Sequence, residues 1–209
     1  MERNNEVILV GAHYRYQGNI NFNSMLRLPA SPRALNARLR AGGLIAYPTR
    51  ASFGLGCLPH QAKALHRLIR LKRRPIHKGM IVVADTQARL HSLIGSLSRE
   101  QQLKLNEMWP GNWTWLVPAS HQALPALKGK SKSIAVRVDS FPPVQALCRQ
   151  LKTALVSTSA NRSGHKPIRT MREIRKRFGQ SVTIISGRCQ KGARASTIAD
   201  LLSLKVLRQ

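Results

Sequence analysis

Acidic side chains are scarce in this chain: eight Asp and Glu stand against 35 Lys and Arg in 209 residues, a formal net charge of +27 at pH 7. So few carboxylates leave no set from which a protein-held metal cage is expected, and the seven His show no pair at metal-ligand spacing. No Ser/His/Asp order stands out either. Cysteine is also sparse. Cys57, Cys148 and Cys189 are an odd number at wide, unpatterned spacings, which gives neither a disulfide framework nor a zinc site and reads as reduced intracellular thiols. Aromatics make up 5% of the residues against 43% hydrophobic, the composition of an aliphatic α/β protein. Residues 1–30 lack the apolar stretch of a signal peptide, and no run reaches the length of a membrane span. A cytoplasmic protein without membrane partners is expected. The phosphate loops G-x-G-x-x-G and G-x-x-x-x-G-K-[ST] are absent, which disfavours a dinucleotide or P-loop site.

What is abundant is positive charge. Basic residues run along almost the whole chain, so they are not a tail attached to a neutral domain. A field of this size draws polyanions, and nucleic acid is the first candidate; the alternative is a solvated basic surface. Lys128, Lys130 and Lys132 cluster in one loop, and Arg172 and Lys176 lie on one predicted helix. These five are the expected contacts to tRNA or double-stranded RNA.

Hydrophobic periodicity alternates between strand and helix. Strands are predicted over 44–47, 80–84, 113–117, 133–138, 153–156, 182–185, 197–198 and 206–207. Helices are predicted over 32–39, 61–73, 86–94, 98–108, 142–151 and 170–178. Ser31-Pro32, the capping box Ser98-x-x-Gln101, Pro142-Pro143 and Thr170-x-x-Glu173 mark helix starts. There are no repeats and no low-complexity linker, so a single α/β domain over 31–209 is expected. Residues 1–30, with one apolar run from Val7 to Val10, read as a poorly ordered extension or an added edge strand.

Three stretches carry candidate chemistry. In Ala154-Leu155-Val156-Ser157-Thr158-Ser159-Ala160-Asn161-Arg162-Ser163-Gly164 an apolar run stops in hydroxyls, an amide and a glycine. Such groups beyond a strand's carboxyl end suit an anionic substrate, although a plain Ser/Thr/Asn turn has the same composition. In the predicted helix over 61–73, Lys72 falls on the stripe of Leu65, Leu68 and Ile69, so it points inward. Cations at a helix end are favourable on dipole grounds alone, but an inward lysine needs a counter-charge, and a bound triphosphate would provide it. Period 2 puts Ser133, Ala135 and Arg137 on one strand face, where the Arg137 fork matches a carboxylate. Thr49, at the end of the strand before Pro48-Thr49-Arg50, could donate to a small polar substrate; Phe53-Gly54-Leu55-Gly56 reads as a glycine turn.

In order along the chain, Pro48-Thr49, Phe53-Gly54-Leu55-Gly56-Cys57, Leu71-Lys72-x-Arg74-Pro75-x-x-Lys78-Gly79, Trp109-Pro110-Gly111, Ser133-x-Ala135-Val136-Arg137-Val138, Ser157-Thr158-Ser159-Ala160-Asn161-x-Ser163-Gly164 and Arg194-x-Ser196-Thr197-Ile198 together resemble the YrdC/Sua5 family. The likeness runs from about residue 34 to 201 and is greatest to its short, single-domain bacterial members. It implies a twisted sheet of mixed parallel and antiparallel strands, with flanking helices, around a basic concave cleft. The implied activity is a nucleotidyltransferase that makes L-threonylcarbamoyl-AMP and pyrophosphate from L-threonine, bicarbonate and ATP. That product feeds the threonylcarbamoyl modification of tRNA adenosine 37 through downstream threonylcarbamoyl-transferase proteins. By the same resemblance, Lys72, Arg74, Lys78, Ser133, Ser159 and Asn161 would bind ATP, whose phosphates bring Mg²⁺, and Thr49, Arg137, Ser157 and Ser196 would bind threonine. Lys72, Arg74 and Arg137 are the expected catalytic residues. The chain departs from the family pattern at Arg50 and Leu58, where acidic residues are usual, and at Asn112-Trp113. A non-catalytic paralogue that binds tRNA or double-stranded RNA is the alternative function.

Overall fold

The computed structural model describes residues 9–10, 13–14, 26–28, 30–162 and 165–208. Its first strands, β1 (Leu9–Val10) and β2 (His13–Tyr14), pair with each other in a separate two-stranded sheet. The rest of the N-terminal stretch lies outside the described residues up to Leu26, which is buried, and Arg27, which bridges Ser186.

Helix α1 (Pro32–Arg40) starts where the Ser31 side chain accepts from the Ala34 N–H, and Pro32 occupies its first turn, where a missing N–H costs nothing. It buries Leu35 and Leu39. Strands β3 (Ile45–Pro48) and β4 (Phe53–Gly56) form a hairpin that leads into α2 (Ala62–Lys72). β5 (Ile81–Ala84) is followed by α3 (Arg99–Met108), which opens with both bonds of the Ser98–Gln101 capping box. After β6 (Trp113–Pro118) come a one-turn helix α4 (Pro125–Lys128), β7 (Ser133–Val138) and α5 (Pro142–Leu151). Then follow β8 (Leu155–Ser159), α6 (Met171–Phe178), β9 (Thr183–Ile184), β10 (Thr197–Asp200) and β11 (Val206–Arg208).

The large sheet has nine strands in the order β11-β10-β6-β7-β5-β8-β4-β3-β9. The pairs β10–β6, β5–β7 and β3–β9 are parallel and the other pairs antiparallel. Side-chain alternation splits the core in two. Ala46, Val82, Ile134, Val136 and Val156 pack with α2, α3, α4 and α6 on one face. Ile45, Tyr47, Val83 and Leu155 pack with α1 and α5 on the other. That second core covers only part of its face. Ser133, Ala135 and Arg137 alternate with the first-core residues of β7, and Ser157 and Ser159 share parity with Leu155. The uncovered part is therefore polar, and it is the floor of the site.

The expected strands and helices are largely present, with four differences. Phe53–Gly56 is strand β4, not a turn: Gly54 pairs with Ser159, and Leu55 with Thr158. A Cβ on Gly56 would lie 2.2 Å from the Val156 carbonyl oxygen and 2.9 Å from the Tyr47 ring, so both glycines reflect a crowded strand interior. That pairing also extends β8 through Ser157–Ser159, so the hydroxyls sit on the strand and not in a turn after it. The predicted helix over 86–94 shortens to a 3₁₀ turn, Gln87–Leu90, and part of the basic loop is helix α4.

Tyr47 Oη donates to the Val156 oxygen at 3.2 Å across β4, a bond that needs the bare backbone of Gly56 between them. Gly56→Ala should lower unfolding free energy by about 1–3 kcal/mol or more through overpacking. Urea denaturation measures it.

Candidate active site

A cleft of about 770 Å³ opens on the polar part of the sheet. Thr49, Gly54, Ser157, Thr158 and Ser159 form one wall, and Arg74, Asn112, Arg137, Ser196 and Arg208 border the rest. Seven cationic side chains line it (Arg50, Arg74, Arg137, Lys166, Arg169, Arg194 and Arg208), and no carboxylate does so among the described residues. Gly54 keeps the floor low: a Cβ there would meet Thr49 Cγ2 at 2.9 Å and Ser157 Oγ at 3.4 Å.

Lys72, the last residue of α2, is buried as its helical position predicts, with 3% of its surface exposed. Its Nζ donates to the Ser159 carbonyl oxygen and, at 3.4 Å, to Asn161 Oδ1. Ser159 Oγ donates to the same Asn161 oxygen at 2.6 Å, and Asn161 Nδ2 donates to the His165 carbonyl at 2.5 Å. Three of the residues expected at the nucleotide thus form one connected network. Arg74 is held by two backbone carbonyls, those of Gly79 at 2.9 Å and Lys78 at 3.3 Å, which orient it without neutralising it.

Charge in the cleft is poorly compensated. Burial, followed by the nearby Arg74 charge, pushes the Lys72 pKa down to about 8. Burial and then Arg208 lower that of Arg74, and burial and then Arg137 lower that of Arg208. Arg137 has an acid of its own: one guanidinium nitrogen meets Asp139 Oδ2 at 2.5 Å, and another donates to Asn112 Oδ1 at 3.4 Å. Its Nε is buried with no hydrogen-bond partner. Both terminal nitrogens are therefore engaged within the protein, and Nε is not.

Of the threonine-site candidates, Thr49, Arg137, Ser157 and Ser196 all line the cleft. Thr49 Oγ1 donates to the Ser52 carbonyl at 2.6 Å, and Ser196 Oγ accepts from Thr114 Oγ1 at 2.9 Å. Lys72 and Asn161 lie just behind Ser159 and do not border the cavity, and neither do Ser133 and Lys78, whose side chain is exposed. Ser163 and Gly164 lie outside the described residues. The basic surface residues are elsewhere: Lys130, Lys132, Arg172 and Lys176 are exposed and Lys128 half-buried, on α6 and around α4. Both helices bury their apolar residues in the first core, on the face away from the cleft.

Arg208 and Arg50 escaped sequence reasoning. Arg208 donates to the Ser196 carbonyl at 3.1 Å from a C-terminal strand whose residues Val206 and Leu207 are exposed, and no local motif marks it. Arg50 was legible only as a departure from a pattern. The cysteines take no part in the cleft lining: burial raises Cys57 to about 12 and Cys189 to about 11, so both stay protonated thiols at neutral pH. No group of three or more His, Cys, Asp or Glu able to hold a metal occurs among the described residues. No helix there is long and apolar enough to cross a membrane.

The Sua5/YciO/YrdC family model, described as telomere recombination, matches residues 37–209. A protein from Thiobacillus denitrificans named threonylcarbamoyl-AMP synthase is 49% identical over 83% of this chain and 93% of its own length. A protein of the same name from Chromobacterium violaceum is 47% identical over 87% of this chain and 95% of its own. Among solved structures, E. coli YciO superposes with a TM-score of 0.72 at 28% identity, covering 86% of this chain and 90% of that one. P. abyssi Sua5 in complex with L-threonine gives 0.75 at 26% identity over 82% of this chain; the chain spans about half (51%) of that longer protein.

The depressed Lys72 pKa has two measurable consequences. Between about 8 and the ordinary 10.5, the unfolded chain holds a proton that the folded one has lost, so the unliganded protein should gain stability as pH rises through this window. Denaturation midpoints at pH 7.5 and 9 test it, and Lys72→Met should remove the gain. Conversely, a phosphate anion held near Lys72 would restore its proton. ATP binding near pH 8 should therefore take up a proton, read by calorimetry in two buffers of different ionisation enthalpy.

Proposed function

The chain belongs to the Sua5/YciO/YrdC family, and on that premise we propose that its cleft condenses L-threonine, bicarbonate and ATP into L-threonylcarbamoyl-AMP and pyrophosphate. It is an enzyme of the nucleotidyltransferase type that serves tRNA processing. The observation that carries the reading is the ring of seven cations, with no carboxylate, around a cleft backed by Lys72, Ser159 and Asn161. Such a site is short of negative charge by roughly the amount that a nucleoside triphosphate and an amino-acid carboxylate supply.

Lys72, Arg74 and Lys78 hold the ATP phosphates, joined by Arg208 from β11, and Ser133, Ser159 and Asn161 complete the nucleotide site. Thr49, Ser157 and Ser196 offer hydroxyls to threonine. Arg137 takes the carboxylate through the part of its fork that Asp139 leaves free, including the unpartnered Nε. A P. abyssi relative has been solved with L-threonine bound, which supports the amino-acid half of the site. The threonine amine attacks bicarbonate carbon, water leaves, and a carbamate oxygen then attacks the α-phosphorus to expel pyrophosphate. Once the threonine ammonium has lost its proton, the chemistry needs little further acid–base machinery. Positioning, together with preorganised cations where charge develops on the phosphates, supplies the acceleration. Mg²⁺ enters with the nucleotide. The protein acts in the cytoplasm and hands its product to threonylcarbamoyl-transferase proteins that modify adenosine 37 of tRNA.

Pyrophosphate release by the pure protein should require threonine and bicarbonate together, and release at an equal rate without threonine would contradict the assignment. Alanine at Lys72 or Arg74 should weaken ATP binding by roughly 1.5–3 kcal/mol, the worth of a charge-assisted hydrogen bond.

The cations on α6 and around α4 named above do not line the cleft, and their mutual repulsion is relieved by a polyanion. tRNA or duplex RNA should bind there with little sequence preference. Its affinity should fall with salt at a log–log slope of roughly 0.9 per neutralised phosphate, taking duplex DNA as the guide. Charge reversal at Arg172 and Lys176 should flatten that slope and leave ATP turnover intact. Affinity indifferent to salt would mean that these residues form only a solvated surface.

A further inference from the structure

A second cavity of about 880 Å³ adjoins the cleft and shares Arg169 with it. The segment 186–195 is the partition: Gly187 and Cys189 face the second cavity, while Gly192 and Ala193 face the cleft. Cys189 packs against the first core, while much of the rest of the partition is exposed. Arg188, Gln190, Lys191 and Arg194 are exposed, and the space around Gly192 is open to 4 Å where a side chain would sit. At its start Ser186 exchanges two backbone hydrogen bonds with Arg27, at 3.0 and 3.1 Å, and further polar ties follow. Gln190 donates its N–H to the Arg50 carbonyl at 2.9 Å, and Arg50 returns a guanidinium bond to Gln190 Oε1 at 2.8 Å. Arg169 donates to the Ala193 carbonyl at 3.2 Å, and Asn112 to that of Ala195 at 3.3 Å.

Arg50 is the tie with a rigid anchor. Its other terminal nitrogen donates to Ser140 Oγ at 2.9 Å, and its guanidinium carbon lies 5.7 Å from the centre of the Phe141 ring, at the start of α5. One side chain thus links the turn after β3, the N-terminal end of a core helix and the partition. A planar fork spreads its donors over three nitrogens and lays a flat face on a ring, whereas a lysine ammonium carries its three donors at one point.

We propose that Arg50 is a positioning residue that pins the 186–195 segment against α5, and thereby fixes Arg194 and Ser196 at the threonine end of the cleft. The latch itself is read from these contacts; its effect on threonine rests on the synthase reading above.

The test combines proteolysis with kinetics on the full chain. In Arg50→Ala, trypsin should cut after Arg188, Lys191 and Arg194 about tenfold faster than in the native protein, with other early cuts unchanged, because local opening exposes only this segment. The threonine KM should rise about tenfold while the ATP KM stays within about twofold. Arg50→Lys should recover part of both effects. Gln190→Ala should accelerate the same cuts, and adding it to Arg50→Ala should change little more, as expected for two ends of one contact. Unchanged cleavage at the three sites would overturn the latch. So would a fall in melting temperature accompanied by equal losses in both KM values, which would make Arg50 a general structural residue. Should the native protein show no turnover, the synthase reading fails, and the cleavage pattern still decides whether Arg50 pins the segment.

Discussion

The organising constraint is positive charge held in a concave site whose described lining has no carboxylate, with Asp139 beneath it balancing Arg137 alone among the described residues. Lys72 is turned inward by the same helical stripe that buries Leu65 and Leu68, and it finds only neutral oxygens, those of Ser159 and Asn161. A buried cation paired this way is costly, and its lowered pKa expresses that cost. The imbalance extends across the cleft: after burial itself, Arg74 lowers the pKa of Lys72, Arg208 that of Arg74, and Arg137 that of Arg208. A site with this charge balance favours a polyanionic ligand on electrostatic grounds.

The rest of the fold holds that imbalance in place. Two glycines in β4 let Tyr47 reach the Val156 carbonyl and keep the cleft floor at backbone height under Thr49 and Ser157. A core on each face stiffens the strands, and because the second core stops short, the hydroxyls of β8 and the guanidinium of β7 face open space. Asp139, beside the site, is almost fully buried and engaged with Arg137 and the Phe141 N–H. It steadies the arginine and leaves the net charge of the cleft strongly positive.

Much of this was legible because its causes are local. Helix starts at Ser31, Ser98 and Thr170 follow from side chains three residues or fewer from the N–H groups they cap, and all three caps form. The glycine turn was misread because Gly-x-Gly looks alike in a tight turn and in a crowded strand. Only the approach of Tyr47 and Val156 tells them apart, and these lie 9 and 100 residues from Gly56 along the chain. Arg208 was invisible for a related reason: the strand that bears it joins the sheet by pairing with β10, while its apolar neighbours remain exposed.

The sequence by itself determined the α/β character, the inward direction of Lys72, the shared face of Ser133 and Arg137, and a charge that calls for anionic ligands. Each of these depends on residue identity and on a period of two or 3.6, which the chain carries wherever it goes. Tertiary structure alone decided that Arg74, Arg137 and Arg208 meet, that Asp139 engages one terminal nitrogen of the Arg137 fork, and that Arg50 reaches Gln190, which lies 140 residues away. Electrostatic and hydrogen-bonding energies depend on distance through space, and those distances are fixed only when strands from opposite ends of the chain enter one sheet.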